Sequence, residues 1–572
     1  MAMTTIPNSV AGPKSAPGGQ GSMLEALFST PLYGLFLSGA TPDKLAIAPT
    51  DPWPGDAQIG TALMGGSYRF AGQDVAAATP PWVSADVDDA FLDILHGFTW
   101  LRDLRAAGGD VARTAARQAI SDWIDKQGRW RELSWRPDIL GLRLSIWLGT
   151  YDFHAASADD LYREKLLTSV ARQARHLART APGRLDGAPA LSAIKGLIYA
   201  AICLPDSRLK LSTALRLLWR ELDNQVLSDG IHIQRRPSLH LSVLRDLIDL
   251  RSLICRLDGA DAERAVERLQ KIIDRMGPAL RFYRHGDGRL ASFNGGHEGD
   301  PVLIDAVLAQ ADTRGRPIRR AEDAGFERAV CGRATLIFDV GPPPPPGYRH
   351  GTHAGLLAFE LSIGRERVVV NCGGVPGMDH PTGIVRVGTR GPLAQWRDGL
   401  RTTVAHTTVG VGDGDSVAIG PGLLVGSATP DVAIHRTDNQ GAVLLAGRAE
   451  GYAESFDLVH HRTLYLTAAG DRLTGEDVLT GSGGHEFTVR FHLHPKVRAS
   501  LVTGGSAILL RLPSGEGWRF KSSGLSMDLE ESVYWATPSG GPRRTSQIVI
   551  NGTTQGGATT VRWAFCREGA SK

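Results

Sequence analysis

Cysteine is scarce in this chain of 572 residues, which carries only five cysteines, and no two of them form a CxxC motif. A CxxC pair is typical of thiol–disulfide exchange and of cysteine-ligated zinc. The sequence therefore predicts neither a disulfide framework nor a cysteine-ligated metal. The scattered thiols are expected to be reduced and mostly buried.

Long apolar runs and runs of like charge are also lacking. No stretch of about 18 uninterrupted apolar residues predicts a transmembrane helix, and no basic region precedes the apolar stretch 24–40, so no signal peptide is visible. The formal net charge is only +3, and no run of Lys and Arg stands out. We therefore expect a globular protein with no membrane span and no nucleic-acid partner.

Motifs of several common enzyme classes are missing as well. The chain has no glycine-rich phosphate loop, no nucleophile-elbow serine motif and no HExxH zinc motif. Chemistry that depends on those motifs is therefore not predicted, and any catalysis must use other polar side chains.

The spacing of apolar residues divides the chain into two parts. Between about residues 88 and 285 apolar residues recur at helical spacing, as in Phe91, Ile94, Leu95 and Phe98. Beyond about residue 325 the period is two, as in the segment 487–494, and no helical run of any length is expected after residue 330. The patterns predict a multidomain chain, helical first and then an antiparallel β-sandwich. The predicted limits are a disordered tail at 1–22, a helical domain at 23–325 and a β domain at 326–572.

Short segments in both parts resemble the heparinase II/III family of polysaccharide lyases. In the helical part this is the segment 229–240, which contains Pro237 and ends at His240. In the β part the matching segments, in the family's order, are 350–362, 367–373, 401–408, 459–462 and 491–495.

The resemblance implies an incomplete α/α toroid joined to a β-sandwich, and a reaction that cleaves an acidic, uronate-containing polysaccharide by β-elimination. That reaction needs a group that neutralises the uronate carboxylate, a base that removes the C5 proton and an acid that protonates the leaving oxygen. The implied partner is an acidic polysaccharide or oligosaccharide. The implied location is the periplasm or cell envelope, and with no visible signal peptide a cytoplasmic location stays open.

Candidate catalytic residues follow from the same segments. His240 matches the family's histidine in Pro-x-x-His, and a histidine pKa near neutrality suits proton abstraction. His350 lies one residue from the position of the family's β-domain histidine, and it either substitutes from a shifted loop or is simply exposed. Tyr348 precedes that loop and is the best-placed tyrosine for the acid. We expect His240 to face His350 or His353 across the groove between the domains.

Candidate substrate-binding residues are cationic. Arg235 and Arg236 precede His240, and a guanidinium can bind a carboxylate through two hydrogen bonds. His406 lies on a polar strand position, either lining the cleft or on the plain surface, and the same alternatives hold for His492 and His494.

Two positions depart from the pattern of active family members. Leu239 stands where many of them carry a tyrosine that serves as acid or base. Ala188 and Pro189 stand in the segment where they carry an asparagine that helps to neutralise the uronate.

A structural zinc is also implied by the resemblance. His353 matches a histidine that binds zinc in some members, and the other ligands there match Asn371 and His460. Zinc accepts histidine nitrogen and carboxylate oxygen readily, whereas a neutral asparagine, here where the family often has aspartate, is a poor ligand.

Two other functions compete with the lyase hypothesis. The altered positions would suit a protein that binds a glycan on the same scaffold without cleaving it. A glycoside hydrolase could instead use a carboxylate pair from the acidic residues near Asn294, which are Asp287, Glu298 and Asp300. The alternative for that segment is a solvated glycine-rich loop.

Overall fold

The structure is a computed structural model. It describes residues 26–569 apart from residues 31, 85, 184, 206–209, 350, 376–392, 421–422, 425–428, 503 and 538–539. The predicted disordered tail at 1–22 and the candidate catalytic His350 lie outside the described residues.

The first half of the chain is helical. Its described helices are α1 Tyr33–Phe36, α2 Ala57–Met64, α3 Asp89–Gly97, α4 Leu101–Ala107, α5 Gly109–Gln127, α6 Pro137–Gly149, α7 Tyr151–His154, α8 Asp160–Thr180, α9 Gly187–Cys203, α10 Leu211–Gln225, α11 Pro237–Ile254, α12 Ala260–Phe282 and α13 Pro301–Gln310. A short hairpin, β1 Ser67–Phe70 and β2 Gln73–Ala76, interrupts them. Proline at the first position starts α6, α11 and α13, where no helical N–H is lost.

Helices α6 and α9 form the buried centre of the helical part, because both are apolar around nearly their whole circumference. They approach closely at two glycines. A Cβ on Gly196 would lie 2.3 Å from the Cα of Gly141, so a larger residue there would force the helices apart.

The second half of the chain is an antiparallel β-sandwich, whose described strands form two large sheets. One sheet has eight described strands and the other has nine. A separate pair joins β9 Ile419–Gly420 to β10 Leu423–Leu424.

The strand bounds are β3 Arg320–Ala321, β4 Phe326–Cys331, β5 Ala334–Asp339, β6 Phe359–Ile363, β7 Glu366–Val370, β8 Val409–Val411, β11 Val432–Asn439, β12 Ala442–Tyr452, β13 Leu458–Leu466, β14 Arg472–Gly481, β15 Glu486–Leu493, β16 Arg498–Leu501, β17 Ile508–Arg511, β18 Gly517–Ser523, β19 Met527–Tyr534, β20 Arg543–Thr553 and β21 Gly557–Arg567. The eight-stranded sheet has the order β11-β12-β13-β14-β21-β18-β17-β16. The nine-stranded sheet has the order β19-β20-β15-β7-β6-β5-β4-β3, with β8 also paired to β15. Strands such as β14 alternate buried and partly exposed residues, because one sheet face covers the core and the other faces solvent.

Aromatic packing joins the two parts. Phe326 on β4 is fully buried, and its ring lies 5.4 Å from that of Tyr283 and 5.3 Å from that of Phe293, both in the helical part. Burying a side chain of this size stabilises the junction by about 1.5–3 kcal/mol. The predicted domain limit at residues 325 and 326 stays a prediction.

The predicted order of helical toroid and then antiparallel β-sandwich is confirmed. The expectation of no further helix is wrong in detail, because α14 Ala394–Arg401 and the single turn α15 Ala453–Phe456 lie within the β part. Among the described residues, no helix combines the length and apolar character that crossing a membrane requires.

Candidate functional site

His240 lies at the start of α11 and is fully buried. Its Nδ1 accepts a hydrogen bond from the backbone N–H of His232 at 3.3 Å, and its Nε2 donates to the carbonyl of Met276 at 3.0 Å. Burial lowers the pKa of His240 to about 4, so the ring is neutral. Both nitrogens are thus engaged within the helical part, which leaves no lone pair for a substrate proton.

Arg235 and Arg236, predicted to bind the uronate, are both buried and join the two halves of the chain. Arg235 donates to the carbonyls of Ala324 and Pro342 at 2.6 and 2.8 Å and forms an ion pair with Asp339.

Arg236 reaches the same junction from the next position. It donates to the carbonyls of Asn294 and Gly351 at 2.7 and 2.6 Å. A buried guanidinium must satisfy its donors internally, so both arginines hold the junction together rather than face a ligand.

The two positions that depart from the pattern of active family members, Leu239 and Ala188, lie in the hydrophobic core. Leu239 and Ala188 are both buried, and their apolar side chains offer neither an acid nor an amide. Tyr348 is partly buried, and its pKa is raised by burial and by the negative charges of Glu221 and Asp186. The Tyr348 hydroxyl therefore stays protonated beside acidic groups, which would repel a uronate.

The three predicted zinc ligands have different partners. His353 hydrogen-bonds through Nδ1 to Nε2 of His406 at 3.2 Å. Asn371 donates to Glu360 at 3.2 Å and accepts from the N–H of Thr407 at 3.0 Å.

The third, His460, lies on β13 in the opposite sheet and donates to Asp477 at 2.9 Å. Among the described residues, no three His, Cys, Asp or Glu side chains are grouped so as to hold a metal. The described donors therefore do not fit a zinc site.

We expect purified protein to contain well under one zinc per chain, because a site with only two convergent imidazoles holds zinc weakly. Elemental analysis after dialysis against a mild chelator measures this. One tightly held zinc per chain that is lost in His353→Ala and retained in His435→Ala would contradict the expectation.

His406, His492 and His494 are all buried, which corrects the alternative that they lie on the plain surface. His492 bonds to the hydroxyl of Ser532 at 2.7 Å and to the carbonyl of Val404 at 3.0 Å. The pKa of His492 is lowered to about 3, mainly by burial and also by nearby His406 and Arg490.

A pocket of about 680 Å³ lies between the helical part and the β part, where the segment 286–300 contacts the β part. At its base lies Arg367, which is buried and donates from Nε to Asp287 at 3.0 Å and from Nη2 to the carbonyl of Leu290 at 2.8 Å. Its Nη1 is buried, has no hydrogen-bond partner among the described residues, and lies 3.9 Å from Glu298.

The pocket wall is mostly cationic. It is lined by Arg289, Arg365, Lys496 and Arg543 besides Arg367, against three acidic side chains. His494 lies beside them, and its pKa is lowered to about 3 by burial and by the charges of Arg367, Lys496 and Arg543. The lining thus carries more cationic than acidic side chains, so the pocket favours an anionic ligand.

The acidic residues in this pocket do not form a hydrolase pair. Burial opposes ionisation of Asp287, but Arg367, the backbone N–H of Arg289 and His285 together outweigh burial and lower the Asp287 pKa. A general acid needs the opposite shift. Glu298 is buried and accepts from the Tyr534 hydroxyl at 3.2 Å, while Asp300 caps α13. The segment is therefore not a solvated loop.

Sequence reasoning missed Arg367 as a functional residue, although a signal was present. It precedes three valines in a buried strand, and a charged residue in such a run must find a partner or a ligand. Lys496 and Arg543 carried no comparable signal, because exposed cations are common.

Two sequence profiles of one family cover most of the chain. The profile described as heparinase II/III-like, C-terminal, matches residues 313–564, and the heparinase II/III N-terminus profile matches residues 106–276. The chain belongs to the heparinase II/III family. The resemblance that the sequence segments indicated is thereby confirmed.

Known relatives of this heparinase-family chain differ in what their names describe. FtsZ-localized protein C of Caulobacter vibrioides is 32% identical over 533 residues, covering 89% of this chain and 88% of that protein. Heparinase III has a TM-score of 0.68 at 12% identity, covering 96% of this chain and 89% of its own.

A mutant of heparan sulfate lyase HepC from Pedobacter heparinus has a TM-score of 0.60 at 15% identity, covering 97% of this chain and 90% of its own. At such low identities the two lyase structures establish the shared toroid and sandwich fold alone.

Proposed function

We propose that this heparinase-family chain binds an acidic polysaccharide and does not cleave it. The proposed site is the pocket lined by Arg289, Arg365, Arg367, Lys496 and Arg543, which we call the junction pocket. The observation that carries the proposal is the excess of cationic side chains in this lining, where the exposed Lys496 and Arg543 have no ion pair among the described residues. A carboxylate or sulfate group of a sugar would accept hydrogen bonds from these two side chains, and charge-assisted bonds of this kind contribute about 1.5–3 kcal/mol each.

The absence of cleavage is inferred from the groups that β-elimination requires. Leu239 and Ala188 supply neither the acid nor the neutralising amide, and His240 has both ring nitrogens engaged. Rate acceleration depends on a positioned acid and base at the reacting atoms, so binding without turnover follows.

A lyase is the second candidate, and the fold favours it, because heparinase III and heparan sulfate lyase share this architecture. β-Elimination leaves a conjugated double bond in the product, whereas binding or hydrolysis leaves none. Incubation with a panel of uronate polymers should therefore give no rise in ultraviolet absorbance. A rise that the exposed double variant Lys496→Glu with Arg543→Glu abolishes would favour the lyase and indicate that its substrate binds in the same pocket.

The relative's name adds a cellular proposal. Because that protein is named for localisation with FtsZ, we extend the proposal to a glycan-binding role at the site of cell division. A fluorescent fusion that follows FtsZ would support this extension. The location in the periplasm or cell envelope stays a prediction.

The charge of the pocket gives a direct test. Lys496 and Arg543 are exposed, so Lys496→Glu with Arg543→Glu should preserve the fold while reversing the charge that faces the ligand. We expect affinity for short heparin or polygalacturonate oligosaccharides, measured by calorimetry, to fall at least about tenfold, since each lost charge-assisted bond exceeds 1.4 kcal/mol.

Arg129→Glu is the matched control, because Arg129 is exposed and lines neither this pocket nor the groove described below. Its affinity should equal that of the unaltered protein. Equal binding by the double variant, or no binding of any acidic glycan by the unaltered protein, would exclude the junction pocket as the proposed site.

A further inference from the structure

A second concave surface lies on the solvent face of the eight-stranded sheet. Its volume is about 1050 Å³, and it is formed by the adjacent strands β13, β14, β21 and β18. We call it the sheet groove, defined by the outward residues of these four strands.

The strand register places side chains across the groove in rows. Tyr465 pairs with Thr474, Thr474 with Ala564, and Ala564 with Lys521. Directly paired residues point to the same face of a sheet. Three strand spacings of about 4.8 Å separate the first and last of them, so Tyr465 and Lys521 stand about 14 Å apart across the groove.

Small side chains form the floor between these walls. In the next row, Arg472 and Arg519 flank Cys566, whose side chain is short like that of Ala564. The floor is therefore low over two rows, which gives the groove its depth, and the larger side chains rise on both sides.

The groove is chemically mixed, with an excess of positive charge. It is lined by five cationic and three acidic side chains. Arg562 and Arg519 pair with Glu476 and Glu568 at 2.6 and 2.9 Å. Lys521 and Arg472 have no ion pair among the described residues, so their charges remain available to an anion.

Aromatic and hydroxyl groups complete the surface. Tyr465 is 40% exposed, which leaves part of its ring open to an apolar sugar face while its hydroxyl stays in water. Thr463, Thr474 and Ser523 contribute hydroxyls that can donate and accept hydrogen bonds. This combination matches a ring with both hydroxyl and acidic groups.

We propose that the sheet groove is a second binding site, for a linear acidic glycan. The ligand class in this inference rests on the proposed function. The sheet groove adds a second surface that binds a longer glycan chain. The volume is near the upper limit of about 1,000 Å³ for small-molecule pockets, which suits an oligosaccharide better than a single sugar.

An acidic peptide is a poorer occupant. Peptides that bind to sheets usually add a strand at an edge, where backbone N–H and C=O groups are free. The four strands of the groove are each paired on both sides within the sheet, so the groove offers side chains alone. Sugars, which bind through hydroxyls and ring faces, need no backbone edge.

Stoichiometry separates the two sites. With heparin or polygalacturonate oligosaccharides too short to span both surfaces, calorimetry should show two sites on the unaltered protein. Tyr465→Ala with Lys521→Glu should remove one site, or weaken it at least about tenfold, and leave the other unchanged. The junction variant Lys496→Glu with Arg543→Glu should show the converse, and Arg129→Glu should keep both.

Each result decides between the proposals. One site that the groove variant leaves unchanged overturns the sheet groove and retains the junction pocket. Loss of one site in the groove variant and no change in the junction variant supports the groove and excludes the pocket. No binding by the unaltered protein overturns both. Displacement by polyglutamate as effective as by the oligosaccharides, or equal binding of uncharged dextran, overturns the acidic-glycan assignment.

Discussion

The free energy of unfolding is expected to fall by on the order of 5–10 kcal/mol when the pH is lowered from 7 to 5.5. The cause is a set of buried histidines that the folded protein keeps neutral. Burial lowers their pKa to about 3 or about 4 in each case; they are His96, His154, His176, His232, His240, His406, His492 and His494.

The direction follows from proton binding in the two states. A histidine in the unfolded chain titrates near pH 6.5, whereas these rings take up a proton in the folded chain only near pH 3–4. Between those values the unfolded state binds more protons, so stability falls as the pH falls. Each ring contributes about 1 kcal/mol over this interval, and the sum is comparable to the whole stability of a typical domain, about 5–15 kcal/mol.

Denaturant unfolding at a series of pH values measures the effect. His154 bonds to the Tyr162 hydroxyl at 2.9 Å and to the carbonyl of Trp147 at 3.0 Å, and His154→Gln should make the pH dependence shallower by about one ring's share. His435 is exposed, so His435→Gln should leave the profile unchanged. A stability that is flat between pH 7 and 5.5 would contradict the prediction.

Replacing Asp477 by alanine is expected to destabilise the protein by about 3–5 kcal/mol, because it leaves a buried guanidinium without its counter-charge. Arg462 is fully buried between the sheets, and its Nε and Nη2 donate to Asp477 at 2.6 and 3.1 Å. His460 and the Trp563 indole donate to the same carboxylate at 2.9 and 2.8 Å. Burial opposes ionisation of Asp477, but Arg462 and His460 together outweigh burial and hold the Asp477 pKa well below its usual range.

Matched variants separate the buried charge from the loss of contacts. Arg462→Met together with Asp477→Leu should recover much of the loss, since removing both charges avoids an unpaired buried ion. Glu531 forms an exposed ion pair with Arg544, and Glu531→Ala should change the free energy of unfolding by less than about 1 kcal/mol. If Asp477→Ala lowered the free energy of unfolding as little as Glu531→Ala does, the buried ion pair would not stabilise the fold as expected.

The structure also explains why the sequence did not predict that Arg235 and Arg236 are buried. Arg235 and Arg236 precede His240 in a segment that resembles an active site, and an exposed guanidinium there would bind a carboxylate. Their partners, Asp339 and the carbonyl of Gly351, come from more than a hundred residues further along the chain. No local pattern predicts a partner at that separation.

The sequence by itself determined the order of helices and strands and the family of the chain. Periodicity is a local property, because a side chain's face repeats every 3.6 residues in a helix and every two in a strand. It also showed that Leu239 supplies no acid and Ala188 no amide, since a missing functional group is visible from the sequence alone. Only the tertiary structure decided that His240 is buried within the helical part and that His460 donates a hydrogen bond to Asp477. It also decided that Arg367 lines a cationic pocket. Burial and pairing depend on which distant segments meet, and those contacts set the charge state and access of each side chain.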